Sequence, residues 1–132
     1  MKIDWEEVER LSDVFSYFTE EYLSKTPCRV SPHQLISWIH KGEKVIIVDI
    51  RTPTEMGLIG FTYPQTLKIP MNELFKRENI EKLAQYEDYK IVVACRAGVR
   101  SLVATAFLRR VGFNNAYSLH GGIIAFAEAV KC

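Results

Sequence analysis

At 132 residues the chain fits one compact domain with a core of its own. It is 48% hydrophobic and 25% charged with a net charge of +1, so no field of one sign draws it to nucleic acid or to a membrane surface. No apolar run approaches the roughly 18 residues of a membrane span, and the acidic N-terminus is unlike a secretory signal; a reducing cytoplasm is the expected setting. Charge is divided unevenly, with a net −4 in residues 1–26 and +5 in the remainder. Three widely spaced cysteines, Cys28, Cys95 and Cys132, describe neither a disulfide scaffold nor a C-x-x-C metal or redox site.

Asp4 to about Lys25 reads as one helix, capped by Asp4 with Glu7 in the capping-box position. Val8, Leu11, Phe15, Phe18 and Tyr22 form its apolar stripe. That stripe suits a helix laid on its own domain, with a helix for homodimerisation or for docking a partner as the alternative. Thr26-Pro27 ends the segment. Val30 closes a short strand, and Ser31-Pro32 with Gln34 starts a helix to about His40. Val45 to Val48 is a β-branched run suited to burial on both faces of a parallel sheet. Leu67 to Ile69 is a weaker strand stopped by Pro70, and residues 72–86 carry one or two short helices. Ile91 to Ala94 is another buried strand. Val99 to Arg110 is a helix whose Val99, Leu102, Val103, Ala106 and Phe107 share a face. Ala116 to Leu119 is the last strand, and Gly121-Gly122 open the final helix. Such alternation predicts an α/β domain with a parallel sheet covered on both sides. The expected division is a helical extension over residues 1–26 and one domain over 27–132.

Cys95 falls between a strand and a helix, at the carboxyl edge where ligands of open α/β sheets bind. Backbone N–H groups of such a loop can nest an anion, and the helix N-terminus favours a thiolate. Arg96 and Arg100 add positive charge, and Gly98 lets the loop bend. A cysteine ending a buried strand is ordinarily a small core residue. Two arginines and a glycine within five positions point here to a reactive thiol.

The segment CRAGVRS, residues 95–101, resembles the active-site loop of rhodanese-like sulfurtransferases. VIIVDIRTPTE (45–55), LKIPMNEL (67–74) and LRRVGFNNAYSLHGGIIAF (108–126) resemble further segments of that family, so the likeness covers about residues 28–130. Gly60 to Gln65 is longer than the family's corresponding stretch and lacks its His, and Phe126 stands where Trp is common. The resemblance implies a three-layer α/β/α domain with a central, mostly parallel five-stranded sheet. It also implies sulfur transfer through a Cys95 persulfide, a binding loop of Arg96, Ala97, Gly98, Val99 and Arg100, and no metal or organic cofactor. The implied donor is a small anion such as thiosulfate, and the implied acceptor a thiol or a protein cysteine.

Phosphatases of the same fold need Cys-x5-Arg, but position 101 is Ser101; Arg100 comes one place early, and Ala94 replaces the His that often precedes the phosphatase cysteine. A persulfide carrier with a dedicated partner is the other alternative. Asp49, Arg51 and Ser101 are candidate supporting residues, with Asp49 expected to brace the loop and Arg51 to pair with Glu55. His33, His40 and His120 are too scattered for a metal set.

Overall fold

In the computed structural model, residues 1–25 and 28–130 are described. Thr26-Pro27, the expected boundary there, and Cys132 lie outside them. Five strands form the sheet: β1 (Arg29–Val30), β2 (Val45–Asp49), β3 (Thr66–Lys68), β4 (Lys90–Ala94) and β5 (Ala116–Leu119). Their order is β1-β5-β4-β2-β3, and every pairing is parallel.

Side chains alternate across the central strands and make two apolar layers. Ile46, Val48, Ile91 and Val93 pack with Leu83, Ala104 and Leu108 on one face. Val45, Ile47, Val92 and Ala94 pack with Leu35 and Leu119 on the other. The first face is covered by α5 (Arg77–Ala84) and α6 (Val99–Arg110). The second is covered by α3 (Pro32–His40) and α7 (Gly122–Val130). This is the expected three-layer α/β/α domain. Ser31 caps α3 as its sequence predicts, accepting from Gln34 N at 3.1 Å.

One local expectation is corrected, and two segments gain detail. The N-terminal segment is two helices, α1 (Trp5–Phe15) and α2 (Glu20–Ser24). Thr19 stops the continuous helix by capping α2, its Oγ1 accepting from Tyr22 N at 3.2 Å. Residues 53–58, to which the sequence reading assigns no element, form α4 (Pro53–Leu58), started by a complete Thr52–Glu55 capping box and Pro53. On α6 the sheet-facing residues are Ser101, Ala104, Thr105 and Leu108. Val99, Leu102 and Val103 are exposed. Small side chains lie against the strands because they let the helix approach closely. Part of the outer face receives the N-terminal segment instead, with Phe15 and Phe18 edge-on to Phe107 at 6.4 and 6.3 Å between centroids.

Candidate active site

Asp49 and Ala94 are paired in register at the carboxyl ends of β2 and β4. Ile50 N donates to Ala94 O at 2.9 Å, so the chains leaving both strands start side by side. One carries Arg51 and then α4; the other carries Cys95, its loop and then α6.

The loop is shaped by a second stretch of backbone. Ile123 N at the start of α7 donates to Cys95 O at 2.9 Å, and Ile124 N donates to Arg96 O at 3.3 Å. These first-turn N–H groups have no partner within their own helix, so the loop carbonyls satisfy them. The approach is close enough to require glycine. A Cβ on Gly122 (φ 65°) would fall into the Arg96 carbonyl, and one on Gly98 (φ 101°) would meet Gly121 N at 3.0 Å. With its carbonyls tied to α7, the loop turns N–H groups toward the cysteine.

Cys95 is 1% exposed. Its Sγ accepts from Gly98 N at 3.1 Å and Ser101 N at 3.4 Å, and it meets Ser101 Oγ at 3.4 Å. Burial pushes the thiol pKa up, but the Ser101 hydroxyl and the backbone N–H groups of Ser101, Gly98 and Ala97 outweigh it. The net shift is downward from an ordinary thiol. Arg96, Ala97 and Val99 are exposed at the loop surface.

Arg100 points at α4. Its two terminal nitrogens hold Glu55 Oε1 and Oε2 at 2.8 and 2.9 Å, a bidentate pair. Chiefly through Arg100, and further through Thr52, the Glu55 carboxyl is held down to about 2. The pair therefore persists across neutral and mildly acidic pH and is lost only as pH falls through that value.

The expected Arg51–Glu55 pair survives only as a contact with the Glu55 backbone, Arg51 Nη1 donating to its carbonyl at 3.4 Å, while the carboxylate belongs to Arg100. Arg51 is 2% exposed and forks onto Asp49, Nε to Oδ1 at 3.0 Å and Nη2 to Oδ2 at 2.8 Å. Arg51 Nη2 also donates to Ile59 O at 2.8 Å, which fixes the exit of α4. The Asp49 carboxylate is thus occupied by Arg51, whose backbone N–H it also accepts at 3.1 Å. It braces the neighbouring loop rather than that of Cys95. Beside these groups lies a pocket of about 430 Å³ lined by Arg51, Glu55, Leu58, Ile59, Arg96, Ile123 and Ile124.

Sequence reasoning missed two partners. Glu55 as the holder of Arg100 was signalled by Thr52-Pro53-Thr54-Glu55, which places it in the first turn of a helix. Ser118, whose Oγ lies 2.8 Å from Ser101 Oγ, carried no local signal, because the contact joins β5 to α6.

A parallel α/β sheet that presents a hydrogen-bonded cysteine at its carboxyl edge, under a helix N-terminus, defines a class of thiol-bearing α/β domains. Residues 31–129 match the model of the rhodanese-like domain, and the chain belongs to that family. It is 33% identical over 102 residues to a probable adenylyltransferase/sulfurtransferase MoeZ of Mycobacterium tuberculosis, covering 77% of this chain and 25% of that protein. The chain thus spans about a quarter of that curated relative's length. A protein named sulfurtransferase from Allochromatium vinosum is 40% identical over 89 residues, 65% of this chain and 75% of its own. The solved human single-domain sulfurtransferase TSTD1 superposes with a TM-score of 0.62 at 26% identity, over 78% of this chain and 97% of that one.

Proposed function

We propose that this chain is a rhodanese-type sulfurtransferase that carries sulfane sulfur on Cys95. The observation that carries the reading is the Cys95 sulfur held by Gly98 N–H and Ser101 N–H at the N-terminus of α6, with its pKa lowered. A thiolate so held attacks the outer sulfur of an anionic donor such as thiosulfate. The new bond is Cys95 S–S, the donor's S–S bond breaks with its electron pair on sulfite, and the persulfide anion remains. An acceptor thiolate then takes the outer sulfur and returns Cys95 as thiolate, so charge balances in each half. The N–H groups of residues 96–100 stabilise the persulfide as an oxyanion hole stabilises oxygen. Arg96, exposed at the pocket, draws the donor, while Arg100 acts from its Glu55 clamp. The cycle draws on no metal or cofactor.

Sulfur is favoured over phosphate by the loop itself. Four residues separate Cys95 from Arg100, and Arg100 is committed to Glu55 instead of to a ring of phosphoryl oxygens. A protein cysteine as acceptor is supported by the exposed apolar side chains of Leu58, Ile59 and Ile124 around the pocket of Arg96. The reading places the protein in a reducing compartment such as the cytoplasm, where the thiol stays usable. Among the described residues no helix is long and apolar enough to cross a membrane.

Mass spectrometry after thiosulfate treatment tests the proposal: the Cys95 peptide should gain about 32 Da. The adduct should vanish in Cys95→Ser and persist in Cys28→Ser and Cys132→Ser. An adduct that survives in Cys95→Ser would sink the assignment. Turnover with thiosulfate and cyanide, set against transfer to a protein thiol, separates a general enzyme from a dedicated carrier.

A further inference from the structure

Ser118 lies in β5 with no solvent exposure, in a strand whose other buried positions are Ala116 and Leu119. Alanine would fill that space without desolvating a hydroxyl, so the serine needs a hydrogen-bond reason. Its Oγ lies 2.8 Å from Ser101 Oγ, its one hydrogen-bond partner among the described residues. Ser101 Oγ in turn lies 3.4 Å from Cys95 Sγ and 3.3 Å from Gly98 O. Three buried groups thus form a chain: Cys95 Sγ, Ser101 Oγ, Ser118 Oγ.

A hydroxyl has one proton and two acceptor lone pairs, so the direction of this chain is set by the cysteine. With a neutral thiol, S–H donates to Ser101 Oγ, and the Ser101 proton turns to Gly98 O or Ser118 Oγ. With a thiolate or persulfide anion, the Ser101 proton must turn onto sulfur, leaving its oxygen to accept. Ser118 supplies the donor for that oxygen. A buried hydrogen-bond chain of this kind polarises each member toward the charge.

We propose that Ser118 is a positioning residue: its buried hydroxyl donates to Ser101 Oγ and so turns the Ser101 proton onto Cys95 Sγ. The inference rests on Cys95 being the sulfur-bearing thiol and adds the device that favours its anionic form. The charged groups at this edge of the sheet are Arg96 and Arg100 from the loop and helix of Cys95, Glu55 from α4, which Arg100 holds, and the Asp49–Arg51 pair at the end of β2. None of them is changed by Ser118→Ala.

The sign is fixed by which form the chain prefers. Ser118→Ala removes stabilisation of the anion, so the midpoint for Cys95 ionisation rises. The experiment measures the rate of iodoacetamide alkylation of Cys95 against pH, with thiolate ultraviolet absorbance as a second readout. Both report ionisation whether or not sulfur is transferred. Ser118→Ala should raise the midpoint by about half a unit to one unit. In a Ser101→Ala background the same change should have no further effect, because Ser118 acts through Ser101. Thr105→Val is the control; its hydroxyl is buried on the same helix but has no hydrogen-bond partner among the described residues, and its midpoint should stay at the wild-type value. An unchanged midpoint in Ser118→Ala, or an equal shift in the Ser101→Ala background, overturns the inference. Absence of the persulfide adduct in the wild-type protein, with the midpoint shifts intact, would instead overturn the sulfurtransferase reading.

Discussion

Arg51 is held at 2% exposure because Asp49 and the Glu55 and Ile59 carbonyls occupy its donors. A buried pair of this kind is not itself evidence of large net stabilisation. Breaking one half is another matter, since it strands the other charge. Arg51→Met should leave Asp49, which has no exposure of its own, buried without its charge partner. The expected loss is about 3–5 kcal/mol in urea unfolding. A loss below about 1 kcal/mol would show that water reaches Asp49 freely. The Asp-x-Arg spacing was visible in the sequence, but the partner was misassigned. Glu55 lies four places after Arg51, the spacing of helical ion pairs. Arg51 precedes the cap residue Thr52, so it is outside α4 and that spacing does not apply.

At the scale of elements, the site depends on two backbone loops in contact, 95–98 and 120–122. Gly122 is the tightest point, since any Cβ there meets the Arg96–Ala97 peptide. Gly112 also has a positive φ, 121°, but open space around its missing Cβ. Gly112→Ala should therefore cost only backbone strain, about 1–3 kcal/mol. Gly122→Ala should cost more, because the two loops must part, and it should also slow Cys95 alkylation. Equal urea midpoints for the two variants would remove the close approach from the account. The Gly-Gly pair was legible as a turn, but its contact with the cysteine loop was not, because it joins residues far apart in sequence. The strands were read well because Val45–Val48 and Ile91–Ala94 are runs that burial on both faces demands. The helix α6 was read less well. Its apolar positions share a face as read, but its sheet-facing side is built of Ser101, Ala104 and Thr105, so hydrophobic periodicity did not mark the side that packs on the strands.

For the whole molecule, α1 and α2 lie outside the family's domain and are bound only at its surface. Neither has a buried residue, and the family match begins only at residue 31. Their salt bridges in the described residues, Arg10–Glu7 and Lys25–Glu21, stay within the segment, so its net −4 is not neutralised by paired contacts with the body. The attachment is aromatic: Phe15 and Phe18 against Phe107, and Arg110 over the Tyr17 ring at 3.3 Å from its centroid. Edge-on aromatic pairs contribute about 0.5–1.5 kcal/mol each beyond area, and screening by salt leaves them untouched. We therefore propose that residues 27–132 fold without the extension, and that its helices shield α6 rather than build the core. A chain lacking residues 1–26 should unfold in one cooperative step, about 1–3 kcal/mol less stable than the full chain. The loss should be the same at low and high salt. Truncation also uncovers Phe107 beside the exposed Val103, so sedimentation should show a monomeric full chain and self-association of the short one. A full chain that sediments as a dimer and falls to monomers on truncation would assign the helices to dimerisation instead. Their apolar stripe would then face a second copy more than it faces Phe107.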